Sequence, residues 1–161
     1  MGLDMYLNKK KYVGYADNTE VDVTTKDFHD EVHKTHYKNV NYISQEVGYW
    51  RKANEIHRWF VEQCCEGKDD CQEHYVSFEK LLELKKVCQD VLNAFNSNHL
   101  TDGEKQGVAE DLLPRCQGFF FGSYEYNDWY KEDLERTIKI IDDVEKEYDA
   151  GADRLYYEAS W

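Results

Sequence analysis

The apolar and polar positions of this chain change period several times along its length. Over 3–13, LDMYLNKKKYV alternates imperfectly and predicts a strand with a basic centre. Residues 14–24 are polar and irregular. Thr24 or Thr25 is placed to cap a short helix over 26–34, with Phe28 and Val32 four apart. Residues 37–43 alternate again, as a strand. From about Gly48 to Cys65 the spacing becomes helical, in two stripes. Tyr49, Ala53, Ile56 and Phe60 form an uninterrupted apolar stripe, the expected core face. Trp50, Asn54, His57 and Val61 form a second stripe that carries polar groups, the expected functional face.

A charged loop follows over 66–72, then a short strand over 73–76. Ser77 caps a predicted helix over 78–95, whose buried face is Leu81, Leu84, Cys88, Val91 and Phe95, widened by Leu82 and Leu92. Residues 96–115 read as a surface loop broken by Asn98 and Gly103, and 117–122 as a strand. Asn127 caps the last helix, 128–148, buried along Tyr130, Leu134, Ile138, Ile141, Val144 and Tyr148 and ended by Gly151. Residues 154–161 give a terminal strand, expected to pair with the first. Helices and strands do not alternate as in a doubly wound sheet. The expected architecture is one α+β domain over 1–161, three main helices on a mainly antiparallel sheet.

Composition narrows the partners. The chain has 33 acidic against 20 basic residues, a net charge of −13. That field disfavours nucleic acid and anionic lipid and suits a partner with a basic surface. Aromatics reach 15%, thirteen of them tyrosine, which opposes disorder. The opening Met1-Gly2-Leu3-Asp4-Met5-Tyr6 has no basic and apolar leader pattern, and no apolar run approaches ~18 residues. The expectation is a cytoplasmic protein, with no membrane contact and five reduced cysteines.

Candidate chemistry is sparse. Trp50, Asn54 and His57, with Arg51 and Arg58 beside them, offer an indole, an amide and an imidazole at one-turn spacing, suited to a planar or anionic ligand. The competing reading is a core helix whose polar groups satisfy neighbouring backbone. The segment 118–130 is the most aromatic in the chain: Phe119, Phe120, Phe121, Tyr124, Tyr126, Trp129 and Tyr130, with Ser123 in the turn before a helix. Glu125 and Asp128 crowd that helix start with negative charge, so packing or partner contact is expected there rather than a phosphate site. For metal, His29, His33 and His36 would share a helical face, but Glu31 is one step late for a zincin pattern. Cys64, Cys71 and His74 are a weak zinc alternative with non-standard spacing. No nucleophile elbow, P-loop or dinucleotide fingerprint is present, so no catalytic residue and no cofactor is assigned.

The strings MGLDMYL, EVGYWRKANEIHRWFV and GFFFGSYEYNDWYKEDLERT resemble a family of small bacteriophage and prophage proteins. They touch both ends and the middle of the chain. The resemblance implies a phage setting in a bacterial cytoplasm and carries no catalytic residues. By analogy with small acidic phage proteins, it implies an accessory protein that binds and disables a host defence protein. The alternatives are a small-ligand or nucleotide-signal binder, and a metal-dependent enzyme or zinc-stapled domain.

Overall fold

The computed structural model of the protein describes residues 2–14, 19–118 and 121–161. Phe119 and Phe120 lie outside the described residues. The elements run β1 (Asp4–Tyr12), β2 (Val21–Lys26), β3 (Val32–Tyr37), β4 (Tyr42–Arg51), α1 (Asn54–Cys64), β5 (His74–Val76), α2 (Phe78–Asn96), α3 (Asp102–Leu112), α4 (Asp128–Glu147) and β6 (Asp153–Ser160). The class is α+β, with four helices among the described residues instead of three. No described helix is long and apolar enough to cross a membrane.

The main sheet has the order β4-β1-β6-β5 and is antiparallel throughout. The first and last strands do pair, Asp4 opposite Ser160 and Lys11 opposite Asp153. Alternation sets two faces. Leu3, Met5, Leu7, Trp50, Val76, Leu155, Tyr157 and Ala159 point into the helices and are buried. Against them pack Ile56 and Phe60 of α1, Leu81, Leu84, Cys88 and Val91 of α2, and Tyr130, Leu134, Ile141 and Val144 of α4. Phe60 stacks on Tyr157 at 4.1 Å between ring centroids. The Trp50 indole N–H donates to Thr137 Oγ1 on α4 at 2.8 Å, which satisfies a polar group inside the core.

Four predicted elements come out differently, each for a local reason. Residues 26–34 are the end of a hairpin, β2 against β3, with Lys26 opposite Val32. The Asp27 carboxylate accepts from the backbone N–H groups of His29 and Glu31 and so closes the turn. The predicted helix from Gly48 is strand as far as Arg51; α1 starts only after Lys52, which sits at φ 62°. Gly48 is held as strand by its pairing with Leu7, and it is glycine because α4 runs against it. A Cβ at that position would meet Ile140 Cγ2 at 2.7 Å. Residues 102–112 are helix, begun by a capping box in which Thr101 and Glu104 bond each other's backbone N–H. Among the described residues of 117–122 there is no strand; that stretch is held by side chains instead.

Candidate functional site

The residues singled out from the sequence meet at the start of α1, and Asn54 is the join. Its Nδ2 donates to the carbonyls of Phe121 (2.9 Å) and Ser123 (3.0 Å), and its Oδ1 accepts from the Cys116 N–H at 3.1 Å. Cys116 Sγ donates to the Asn54 carbonyl. One fully buried amide thus ties down the chain at Cys116, Phe121 and Ser123.

His57, one turn on, is also buried. Its Nε2 lies 3.1 Å from Asp69 Oδ2 and its Nδ1 2.8 Å from the Tyr157 hydroxyl. A carboxylate only accepts, so Nε2 carries a proton. A neutral ring then takes the Tyr157 O–H at Nδ1. Asp69 also accepts from Trp161 Nε1 at 3.0 Å. Phe121 meets the imidazole edge-on at 5.1 Å. His57 therefore joins α1, the 66–73 loop, the end of β6 and the aromatic segment.

This corrects the two-stripe reading. Trp50 and Tyr49 belong to β4, on opposite faces, and not to the helix. Trp50, Asn54 and His57 are 0%, 0% and 2% exposed, as buried as Ala53, Ile56 and Phe60. The intended functional stripe is core, its polar groups satisfied from within. Arg51 is exposed and paired with Asp4 at 2.9 Å.

Beneath the aromatic segment lies a charged cluster that the sequence did not signal. Glu55 is fully buried and receives Arg115 Nη1 at 2.7 Å; the Arg115 side chain is only 5% exposed. Arg115 Nη2 donates to the Glu125 carbonyl, and the guanidinium lies over the Tyr130 ring. The Asp133 carboxyl on α4 is near enough to Glu55 for the two acids to influence each other's protonation. Burial pushes Glu55 up to about 8 and Asp133 up to about 6, against the opposing pull of Arg115. Glu55 Oε1 has no hydrogen-bond partner among the described residues. A single proton held by the pair would give that oxygen a partner. It leaves one negative charge against one guanidinium, which fits the low dielectric of the site.

The outer surface of the segment is different. Tyr124 is 50% and Trp129 70% exposed, with Ser123 and Glu125 also at the surface. Tyr126 is half-buried; its hydroxyl accepts from the Arg115 N–H. Trp129 borders a groove of about 640 Å³ with Tyr49, Arg51, Asp133 and Arg136.

The metal candidates do not assemble as the sequence suggested. His29 lies in the hairpin turn, and His33 and His36 are on β3, three apart and so on opposite faces. Among the described residues, Asp27, Glu31 and His33 converge within 4.8 Å, all exposed. Cys64, Cys71 and His74 form no such group among the described residues; His74 Nε2 binds Asp70 at 2.8 Å. Burial pushes the Cys64 thiol up to about 12, and those of Cys65 and Cys116 up to about 11.

Sequence reasoning also missed the face of the sheet that no described helix covers. The register puts Tyr6, Tyr12, Tyr42, Tyr49, Tyr75 and Tyr156 on the side away from the helices. They pair across strands: Tyr12 with Tyr42 at 5.1 Å, Tyr6 with Tyr49 at 5.4 Å, Tyr75 with Tyr156 at 6.0 Å. Only the strand register could have gathered them. No family model, curated protein or solved structure matches the chain.

Proposed function

We propose that this protein acts by binding, through the exposed rim of the aromatic segment, to a host protein with a basic surface, and that it serves a phage by disabling a host defence protein. The observation that carries the reading is the pairing of Tyr124 and Trp129, half or more exposed, with a base locked by Asn54 and Arg115. Exposed tyrosine and tryptophan on a rigid base are the side chains on which interface energy concentrates, because little entropy is lost when they are covered. The carboxylates of Glu125, Asp128, Glu132 and Glu135 follow the same stretch of chain, within a net charge of −13. They favour a basic partner and speed its encounter. The phage setting and the host target come from the resemblance of the three sequence strings and from the acidic balance.

The test is capture from host lysate with the full chain as bait, beside Tyr124→Ala/Trp129→Ala as a second bait. A partner held by the first and lost from the second, with both baits melting alike, is the expected result. The reading fails if low-salt lysate yields no partner, or if both baits hold the same one equally.

A further inference from the structure

The open sheet face meets the Trp129 groove only along its Tyr49–Arg51 edge, and its chemistry differs from that of the rest of the surface. An antiparallel sheet open on one side ordinarily shows polar residues to water. Here that side carries six of the thirteen tyrosines, of which Tyr12, Tyr42 and Tyr75 are 37%, 63% and 52% exposed. Its charge is balanced as well. Lys10, Arg51 and Arg154 stand against Asp4, Glu46 and Glu158, with Glu73 bound to Lys10 at its margin, for a net charge of −1. The whole chain carries −13, so this face holds almost none of the acidic excess.

We propose that this face is where a second copy of the chain packs, sheet on sheet, in a two-fold dimer. Three observations choose that occupant. A basic foreign protein has no electrostatic reason to prefer the one face that lacks the acidic excess, whereas two chains of −13 repel least there. A two-fold contact sets a surface against itself, and a face with cations and carboxylates interleaved can be its own complement. The area also suffices. Four strands ~4.8 Å apart, of ten, nine, eight and three residues at ~3.4 Å each, give roughly 500 Å² of flat area per copy, so roughly 1,000 Å² for two, at the lower bound of specific interfaces. Tyrosine suits the task because it covers much area at small entropic loss while its hydroxyl stays satisfied at a wet rim.

Salt separates this contact from the partner contact. Screening weakens the repulsion between two acidic copies, so dimerisation should tighten as salt rises. Binding of a basic partner at the Trp129 rim should loosen over the same range.

The experiment is sedimentation equilibrium of the full chain from roughly 1 to roughly 100 µM, the upper end a hundredfold above a micromolar Kd, in low and high salt. Twice 19.2 kDa at the upper concentrations, with more dimer in high salt, is expected. Tyr42→Glu with Tyr75→Glu should weaken the dimer at least tenfold and leave capture at the aromatic rim unchanged. If the glutamates disturb the strands, Tyr42→Ser with Tyr75→Ser serves instead. A mass of 19.2 kDa at every concentration overturns the proposal, as does a dimer indifferent to both pairs of substitutions.

Discussion

Arg115→Met is the most demanding test of the buried cluster. The substitution keeps much of the side chain's length and removes its charge. Glu55 and Asp133 are then left with one negative charge and no cation. Breaking a buried pair from one side costs about 3–5 kcal/mol, and the 0% and 5% exposure of the two side chains puts this pair in that class. The loss should depend on pH. In the variant a second proton can neutralise the acids, so the destabilisation should shrink on acidification by up to about 1.4 kcal/mol per pH unit. The wild type carries its own signature. Glu55's folded-state value is raised, to about 8. The native state therefore holds a proton that the unfolded chain has lost above its ordinary carboxylate value. That contribution is fully present below the unfolded value and disappears as the pH rises through the folded one. Stability should fall between about pH 5 and about pH 8, by at most about 1.4 kcal/mol per unit for one proton. Glu55→Gln should flatten this slope, because an amide donates to Asp133 without titrating. Urea unfolding of the three proteins at about pH 5 and about pH 8 reads every term. The shared-proton account is wrong if Arg115→Met costs less than about 1 kcal/mol at the higher pH, or if Glu55→Gln keeps the full wild-type slope.

His57→Ala should destabilise the fold by about 2–4 kcal/mol, through a cavity and a stranded Tyr157 hydroxyl, and a melting temperature near wild type would contradict the burial argument. Phe60→Ala, which removes the ring stacked on Tyr157, should cost about 3–5 kcal/mol in the same denaturation assay. Thr101→Ala should cost about 0.5–2 kcal/mol and raise amide exchange over 102–106, and unchanged exchange there would mean that the capping box does not hold α3. In native protein near neutral pH the thiols of Cys64, Cys65, Cys88 and Cys116 should alkylate slowly and become reactive only with denaturant, since burial holds them protonated; rapid native labelling at Cys88 would refute its placement.

How much of this was legible follows from the range of each signal. α2 and α4 stand almost where periodicity put them, with Ser77 and Asn127 accepting from Lys80 N and Tyr130 N as their types predict. Both are long helices whose buried stripes are set by local spacing. The pairing of β1 with β6 followed from their shared character. α3 carried a readable Thr101-x-x-Glu104 capping box, outweighed by its sparse apolar pattern: Ala109 is its one buried residue. The failure at 48–60 is more instructive. Tyr49 and Trp50 stand four residues from Ala53 and Asn54, which suits one continuous helix. The chain instead turns from strand to helix at Lys52. What holds the segment as strand is distant: β1 pairs with β4 as far as Arg51. The site was hidden for the same reason. Arg115 lies 60 residues from Glu55, and Asn54 reaches 67 residues to the Phe121 carbonyl. In a chain with 33 acids, nothing local distinguishes the one that is buried. Only the distant side chains gathered around it, those of Cys88, Arg115, Tyr130 and Asp133, do that, and Tyr124 and Trp129 stay outside that cluster.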